Sequence, residues 1–317
     1  MLGKGSYGCV FKGKCKKTGQ PVALKMMKDS IETEYDFIKT LREIQIMRAL
    51  NQFSVDVLGE TVTPELIEII RESETELNQI CLVMEYVRSD LELVLKHKID
   101  FSMDHLLKIV YNLLIGLAFL HNANIIHRDI KPGNLLITAD CKVKICDFGL
   151  ARCYPVNEAT KLNLPKEDNK NADIWRRLVD RNQKVAEYLI SDRPRRAKLR
   201  RSLSLHVSSR WYRAPEISMM DKSYDLSSDL WSVGCIIYEL IQYVQHTDHE
   251  TFPTEFKTKR HAFQGDSCFP LSPCEKIQKK GMNTSGKMIV SRNDQLKIII
   301  NKLGLQTESD LSYLSNQ

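Results

Sequence analysis

Apolar residues in the first ninety positions occur in short runs between turn residues, which is the pattern of β-strands. Three such runs lie at residues 9–11, 22–24 and 80–84. Between the second and the third, apolar residues recur at roughly helical spacing. We therefore predict a strand-rich first part of the chain that contains one helix, at residues 31–50.

The pattern changes from about residue 104, where leucine, isoleucine and valine recur every three or four positions up to residue 120. This spacing predicts a long amphipathic helix. Two short β-rich runs follow at 134–138 and 142–146, and a further apolar stripe predicts a helix near 228–242. The second part of the chain is therefore predicted to be mainly helical.

These elements predict an α+β chain with a small strand-rich lobe at residues 1–87 and a larger helical lobe at residues 88–317. Two stretches interrupt the second lobe. Residues 155–205 are polar, with one amphipathic patch at 174–190, and residues 244–292 mix polar residues, Pro and Gly with little periodicity. We interpret both as inserts in the fold.

The composition bounds the class of protein. With 317 residues, 43% hydrophobic and 27% charged, the chain is large enough for one or two globular domains. Nine cysteines with no C-x-x-C pair indicate free thiols in a reducing compartment. The start of the chain has no signal-peptide pattern, and we find no apolar run as long as a membrane span. We expect a cytoplasmic and/or nuclear protein that is not associated with a membrane.

The net charge of +6 is concentrated in one segment. Residues 155–205 hold thirteen Lys/Arg and seven Asp/Glu, and the rest of the chain is neutral. The basic pI therefore does not predict a nucleic acid as substrate. The basic end of the insert, residues 193–201, could be a nuclear-import signal, a docking site for an acidic partner or a recognition site for an activating kinase. A solvated insert is the favoured interpretation.

The most informative stretch is residues 127–134, which read His-Arg-Asp-Ile-Lys-Pro-Gly-Asn, with Asp-Phe-Gly at 147–149. Asp129 can accept or orient a hydroxyl proton. Asn134 and Asp147 offer oxygen atoms, which Mg²⁺ prefers. Phosphoryl transfer from a magnesium nucleotide to a hydroxyl needs this set of groups in this order.

Two lysines complete the chemistry. Lys131 is expected to neutralise the phosphoryl group during transfer. Lys25 is expected to hold the α and β phosphates, with Glu43 as the carboxylate that orients it. An isolated lysine and glutamate would more often be a solvated pair of little effect. Their order along the chain relative to the other motifs favours the functional role over a solvated pair.

A glycine-rich run precedes these residues: Gly3-Lys4-Gly5-Ser6-Tyr7-Gly8-Cys9-Val10. Glycines let the backbone approach phosphates, and the amides of such a run can donate to phosphate oxygens. Alone the pattern is weak, because dinucleotide-binding folds use a similar spacing. The V-A-x-K match from Val22 to Lys25 favours a phosphoryl-transfer site over a dinucleotide-dependent oxidoreductase.

Together these motifs resemble the eukaryotic protein kinases from about residue 2 to residue 242. Ala214-Pro215-Glu216 and the Asp-x-Trp-Ser-x-Gly run at 229–234 match further family motifs. Lys131 is typical of the serine/threonine class. Arg210-Trp211-Tyr212-Arg213 is similar to the branch that contains the MAP kinases.

Further short runs resemble the MAP kinases in particular. They are Leu41-Arg42-Glu43-Ile44, the cysteines Cys141 and Cys146, and Phe263-Gln264-Gly265. The resemblance implies one bilobal protein kinase domain over residues 1–317, acting on protein substrates with Ser/Thr followed by Pro. It also implies ATP and Mg as cofactors, an upstream activating kinase and a monomer.

The resemblance assigns residues to the nucleotide and substrate pockets. Met84 would be the gatekeeper beside adenine, and Glu85 and Val87 would offer backbone hydrogen bonds to the base. As plain apolar residues, the remaining adenine contacts could equally be core: Leu2, Val10, Ala23 and Leu136. The pocket that favours proline after the target residue would be formed by Ser209, Trp211 and Arg213.

The chain departs from the family in its activation motif. Where MAP kinases carry T-x-Y, this sequence has Ser204-Leu205-His206. The three arginines that clamp the phosphothreonine in the family are matched by Arg42, Arg128 and Arg152. Because three cations without an anion repel one another, we expect Ser204 to be the activating phosphosite, with Ser202 as the next candidate.

The ends of the chain also differ from the family pattern. The first strand and the last helices of a complete kinase are expected to be missing, and with them the arginine that pairs with Glu216. A buried carboxylate without its partner costs several kcal/mol, roughly, by analogy with broken buried ion pairs. The alternative to an active kinase is therefore a truncated, catalytically weak kinase-like scaffold or binding protein.

Overall fold

The computed structural model describes residues 1–5, 8–28, 34–71, 79–97, 99, 101–153, 187, 191, 209–222, 224–244, 261–272, 291–304, 306–312 and 314. The chain packs into two compact units, each described here by itself. The first unit comprises Met1–Cys153 and Ile236–Thr258, and the second comprises Tyr154–Cys235 and Lys259–Gln317. The amphipathic patch at 174–190 falls almost entirely outside the described residues, and Ser202 and Ser204 lie outside them.

A five-stranded antiparallel sheet forms the start of the first unit. Its strands are β1 (Gly3–Gly5), β2 (Gly8–Lys14), β3 (Pro21–Lys28), β4 (Leu66–Arg71) and β5 (Gln79–Glu85), in the order β1-β2-β3-β5-β4. The three runs expected to be strands lie inside β2, β3 and β5, so these predictions are confirmed. The sequence analysis missed β4, which lies at the edge of the sheet and exposes two of its isoleucines, Ile67 and Ile70.

Three helices belong to the same unit. α1 (Glu34–Leu58) confirms the helix expected at 31–50 and continues eight residues beyond it. α2 (Leu91–Lys96) was not predicted; Asp90 caps it by accepting a hydrogen bond from the Leu93 N–H. α3 (Met103–Asn122) confirms the long amphipathic helix.

The leucine stripe of α3 divides into two faces. Leu106, Leu113, Leu117 and Leu120 are nearly fully buried, whereas Leu107 and Leu114 are exposed. By length and composition alone α3 could cross a membrane, contrary to the expectation that no segment is long and apolar enough. Since core helices of globular proteins satisfy the same criterion, the buried leucines favour a core helix.

Short strands hold the loops that carry the candidate catalytic and metal-binding residues. β6 (Ser89–Asp90), β8 (Leu135–Ile137) and β9 (Val143–Ile145) form one small sheet. β7 (Ile125–Ile126) pairs with β10 (Arg152–Cys153). The expected strands near 134–138 and 142–146 are therefore confirmed, and residues 127–134 and 146–151 are fixed at both ends.

The second unit is built around helices. The named helices among its described residues are a 3₁₀ turn at Arg210–Tyr212, α4 (Pro215–Ser218), the first nine residues of α5 (Ser227–Ile241), and α6 (Gln295–Leu303). α5 confirms the helix expected near 228–242. A sheet in the first part and helices in the rest of the chain confirm the α+β class.

Candidate active site

Lys25 lies on β3 at the centre of a charged cluster. Its ammonium nitrogen donates to Glu43 Oε1 at 2.5 Å and to Asp147 Oδ1 at 3.3 Å. Burial opposes the charge on Lys25, but the two carboxylates outweigh that cost and raise the pKa of the lysine above its usual range. The structure thus brings together three residues that the sequence spreads over 122 positions.

Glu43 reaches Lys25 from α1 and is almost completely buried. A buried carboxylate is stable only when it is paired, and the short contact to Lys25 supplies the partner. The position of α1 relative to β3 therefore sets the orientation of the Lys25 side chain.

Asp129 is held by two neighbours in its own loop. Lys131 Nζ donates to Asp129 Oδ2 at 2.7 Å, and Asn134 Nδ2 donates to the same oxygen at 3.1 Å. Asn134 Nδ2 also donates to the Asp129 carbonyl at 2.8 Å. These contacts restrict the orientation of the Asp129 carboxylate, as a positioned proton acceptor requires.

His127 connects this loop to the segment before Asp147. The Asp129 N–H donates to His127 Nδ1 at 3.2 Å, so Nε2 carries the ring proton and donates to the Cys146 carbonyl at 3.0 Å. The imidazole also packs edge-on against Phe148, with ring centroids 5.1 Å apart. Because His127 is fully buried, its contacts link the loop that contains Asp129 rigidly to the segment that precedes Asp147.

Asp147 has a left-handed backbone conformation, with φ of 68° and ψ of 71°. A non-glycine residue takes this conformation only when its surroundings impose it, which is common at functional sites. Burial raises the pKa of Asp147, but the charge of Lys25, which also donates a hydrogen bond to it, outweighs this effect and lowers the pKa below the usual range. Asp147 is therefore a carboxylate at neutral pH.

Asn134 and Asp147 are the residues that could hold a metal ion. The amide nitrogen of Asn134 points to Asp129, which leaves the amide oxygen as the donor atom. One carboxylate and one amide oxygen suit Mg²⁺, which keeps several waters and binds substrate phosphates with few protein ligands. Among the described residues there is no cluster of three or more His, Cys, Asp or Glu that could hold a metal by itself.

The glycine run forms the β1–β2 hairpin, in which Gly3 pairs with Val10 and Gly5 with Gly8. Gly8 has φ of +142°, and a Cβ there would lie 2.1 Å from the Met26 carbonyl oxygen. This glycine is thus required by the close approach of β2 to β3, whatever the loop binds. Lys4 lies on β1 opposite Cys9, and Ser6 and Tyr7 are outside the described residues.

The residues expected around adenine are carried by neighbouring strands. Ala23 on β3 and Met84 on β5 are paired and buried. The Leu2 N–H donates to the Val10 carbonyl at 2.7 Å, which joins the backbones of these two residues at the sheet edge. Leu136 belongs to β8.

Glu85 is the last residue of β5, and Val87 lies in the segment that follows it. The Glu85 N–H donates to the Glu65 carbonyl at 2.9 Å. A hydrogen bond from Glu85 to a base would therefore use its carbonyl oxygen, and a donor would have to come from Val87.

The sequence analysis missed Lys144 on β9. Its ammonium nitrogen donates to Glu85 Oε2 at 2.6 Å and to Thr61 Oγ1 at 2.7 Å. It thereby ties the end of β5 to the strand that precedes Asp147. The signal in the sequence was one lysine between two apolar residues of a buried strand, which is too little to identify a partner 59 positions away.

The expected phosphate-clamping arginines occupy three elements of the first unit. Arg128 is buried, has φ of +69° and donates from Nε to the Leu150 carbonyl at 2.6 Å. Arg152 on β10 pairs with Ile126 on β7. Ile126 lies two residues before Arg128 in the chain. Arg42 lies on α1, which packs against the 3₁₀ turn at Phe148–Leu150.

The expected substrate pocket lies in the second unit. Ser209 precedes the 3₁₀ turn, Trp211 donates from Nε1 to the Gly265 carbonyl at 2.9 Å, and Arg213 donates to Ser272 Oγ at 3.2 Å. The structure brings these three residues together around one turn.

Glu216, at the start of α4, is buried. Among the residues that the structure describes, no lysine, arginine or histidine forms a salt bridge with it. Burial raises the pKa of Glu216 to about 7. The carboxyl group is therefore partly protonated at neutral pH.

Comparison with known proteins agrees with this geometry. The protein kinase domain family model matches residues 1–166 and 181–302. The chain is 31% identical over 315 residues to mitogen-activated protein kinase homolog NTF3 of Nicotiana tabacum, an alignment that covers 99% of this chain and 61% of the relative.

Two further relatives carry similar names. Mitogen-activated protein kinase 7 of Arabidopsis thaliana is 30% identical over 315 residues, covering 99% of this chain and 61% of the relative. Mitogen-activated protein kinase 17 of the same plant is 35% identical over 246 residues, covering 76% and 40%. The chain thus spans about three fifths of the length of the first two relatives. The expected resemblance to MAP kinases is confirmed, and this chain belongs to the protein kinase family.

Proposed function

We propose that the protein is an ATP- and Mg-dependent serine/threonine kinase of MAP-kinase-like type. The observation that carries this proposal is Lys25, which contacts Glu43 and Asp147 at once. A phosphate-binding lysine that is oriented by a helix carboxylate and stands beside a metal-binding aspartate is the arrangement of a kinase ready for catalysis.

The contacts of the residues support the following roles. Asp129 accepts or orients the proton of the substrate hydroxyl, and its carboxylate is held by Lys131 and Asn134. Lys131 lies beside the same carboxylate, and its ammonium group would offset the negative charge of the phosphoryl group during transfer. Lys25 would bind the α and β phosphates of ATP, and Glu43 keeps its ammonium group in place.

Magnesium ATP, when bound, supplies the phosphoryl group and neutralises part of its charge. Asn134 and Asp147 would hold the metal ion through their oxygen atoms. Val10, Ala23, Met84 and Leu136 would exclude water from the adenine side of the site.

One assay tests the proposed activity. The purified full chain is incubated with Mg²⁺, labelled ATP and a peptide that contains Ser-Pro or Thr-Pro, next to an Asp147→Ala variant. The proposal expects transfer of label by the wild type and at least a hundredfold less, roughly, by the variant. Equal incorporation by the two proteins would contradict it.

The finer parts of the proposal concern substrate choice and activation. Preference for proline after the target residue rests on the pocket of Ser209, Trp211 and Arg213. Activation by an upstream kinase at Ser204 or Ser202 rests on the three arginines of the first unit. Full activity of a Ser202→Ala/Ser204→Ala double variant, purified from cells in which the wild type is phosphorylated, would refute the activation site.

A second candidate is favoured by Glu216. A buried carboxyl group with a raised pKa and no cation among its described neighbours weakens the second unit. Such a protein could bind substrates or partners as a scaffold while transferring phosphate poorly. The assay above separates the two, because a scaffold would show no difference between wild type and Asp147→Ala. For either function we propose a monomer in the cytoplasm and/or nucleus.

A further inference from the structure

The 3₁₀ turn that carries Trp211 rests on a second segment of the chain, which we call the anchor segment, residues 261–266. The ring of His261 stacks on Trp211 with centroids 4.0 Å apart and an angle of 28° between the planes. The same imidazole meets Tyr212 edge-on at 6.1 Å. One buried ring therefore contacts two successive residues of the turn.

Hydrogen bonds reinforce this contact at the other end of the anchor segment. Trp211 donates from Nε1 to the Gly265 carbonyl at 2.9 Å, and Arg210 donates from Nη1 to the Asp266 carbonyl at 2.7 Å. The indole is thus held in its plane by the hydrogen bond and on its face by His261. These two restraints leave Trp211 one orientation.

The anchor segment is itself fixed by α6 and the residues before it. The Gly265 N–H donates to Gln295 Oε1 at 3.0 Å, and the Asp266 N–H donates to the Asn293 carbonyl at 3.0 Å. A Cβ at Gly265 would lie 2.6 Å from Gln295 Oε1 and 2.8 Å from its Cα, so the two backbones are in close contact.

The middle of the anchor segment is fixed in the same way. Lys302 donates to the Ala262 carbonyl and lies over the ring of Phe263. Phe263 in turn stacks on Trp231 of α5, with centroids 5.2 Å apart. The anchor segment is therefore a rigid support, and the His261 ring transmits its position to Trp211.

We infer that His261 is a positioning residue for the substrate pocket. By fixing Trp211, His261 determines how the pocket recognises the residue after the target Ser/Thr. The inference rests on the proposed kinase function, because it assigns Trp211 to the substrate pocket. His261 does not itself touch the substrate; it acts through the stacked indole. Arg213 is held separately, by Ser272, so loss of the stack should disturb one wall of the pocket and leave the other.

The test compares His261→Phe with His261→Ala. Phenylalanine keeps a flat ring against Trp211, whereas alanine removes it. For each protein, KM is measured for a Ser-Pro peptide, for the same peptide with Ala in place of Pro, and for ATP. We expect His261→Ala to raise KM for the Ser-Pro peptide about five- to tenfold and to reduce the preference for Pro, while KM for ATP stays within about twofold. His261→Phe should stay within about twofold of the wild type in all three.

Three results would overturn the inference. The first is an unchanged peptide KM in His261→Ala. The second is a His261→Phe variant as impaired as His261→Ala, which would show that the ring stack is not the relevant contact. The third is an equal rise in KM for ATP and peptide, or a fall in kcat alone, which would indicate general loss of structure.

Binding of a fluorescein-labelled Ser-Pro peptide without ATP separates this inference from the proposed function. If the wild type binds the peptide but does not phosphorylate it, the proposed function fails, and the affinities of the two variants still decide the role of His261. If the wild type phosphorylates the peptide and His261→Ala binds it equally well, the inference alone fails. If the wild type neither binds nor phosphorylates it, both fail.

Discussion

The ammonium group of Lys25 and the carboxylate of Glu43 form a short ion pair, at 2.5 Å, that is almost excluded from solvent. The pair joins β3 to α1, and Asp147 completes it from the other side. Charges that are removed from water are tolerated only when they are well paired. Removal of one member of this pair would leave the other charge buried and unpaired, at a large cost in folding free energy. Stability, and under the proposed function also catalysis, therefore depends on the same contact.

We expect Glu43→Gln to lower kcat about tenfold to a hundredfold, because Lys25 loses the charge that orients it toward the phosphates. The free energy of unfolding should fall by about 3 kcal/mol, the scale for breaking a buried ion pair. Steady-state kinetics and urea unfolding measure the two effects.

The control for this variant is Glu60→Gln. Glu60 pairs with Lys142 on the surface, where both side chains are about half exposed. This change should cost less than about 1 kcal/mol and leave kcat unchanged. Equal effects of the two variants would contradict the special role of Glu43.

Asp147→Asn should reduce activity at least about a hundredfold while preserving the shape of the side chain. The wild-type carboxylate has a lowered pKa and is charged at neutral pH, so the variant removes a full negative charge from the proposed metal site. Initial rates measured over a range of Mg²⁺ concentrations should show a higher Mg²⁺ requirement in the variant. Activity above about a tenth of the wild-type value would argue against Asp147 as a metal ligand.

The pKa of Glu216 predicts a pH-dependent stability. Burial raises it from the ordinary value of 4.5 to about 7. Between these values the folded state keeps the proton that the unfolded state releases, so the free energy of unfolding falls as pH rises. The contribution is fully present below pH 4.5 and is lost by about pH 7, a loss of about 3 kcal/mol.

Glu216→Gln should therefore be more stable than the wild type at pH 8, and the difference should disappear toward pH 4.5. Thermal unfolding of both proteins over this range measures it, since the pH dependence of all other groups cancels in the comparison. A wild type that is the more stable protein at pH 8 would show that a cation pairs with Glu216 in solution.

The glycine run offers a pair of matched substitutions. Gly8→Ala must place a Cβ against the Met26 carbonyl at a φ that L-residues rarely adopt, which should cost about 1–3 kcal/mol of stability. Gly3→Ala has no atom within 4 Å of the new Cβ and should change stability by less than about 0.5 kcal/mol. Thermal unfolding in the absence of nucleotide distinguishes the two, and similar losses in both variants would refute the steric explanation.

The sequence predicted the parts of this molecule whose signal is local. The strand at β3 and the helix α3 were predictable because apolar periodicity reports one buried face. The edge strand β4 was missed because its exposed isoleucines break the expected alternation. The short helix α2 was missed because six residues are too few to show a helical period.

The candidate site also contains features with a clear sequence signal and features without one. The residue types of Lys25, Asp129 and Asp147 were predictable because their chemistry requires a fixed order of motifs. The contact of Lys144 with Glu85 was not predictable, since a lysine in a strand can meet any of several strands. The stack of His261 on Trp211 was missed for a similar reason, because ring contacts between loops leave no periodic signal.

The contact of Lys25 with Asp147 also has a consequence for how the chain folds. It closes a loop of 122 residues, so it forms only after the sheet, α1 and the segment around β9 have come together. We therefore expect the ion cluster to form late in the folding of the first unit. A nucleotide that bridges Lys25 and Asp147 would bind the finished unit and not its precursors, and at a hundred times its Kd it would stabilise the folded state by about 2.7 kcal/mol. Cellular ATP would in this way act as a folding ligand as well as a substrate.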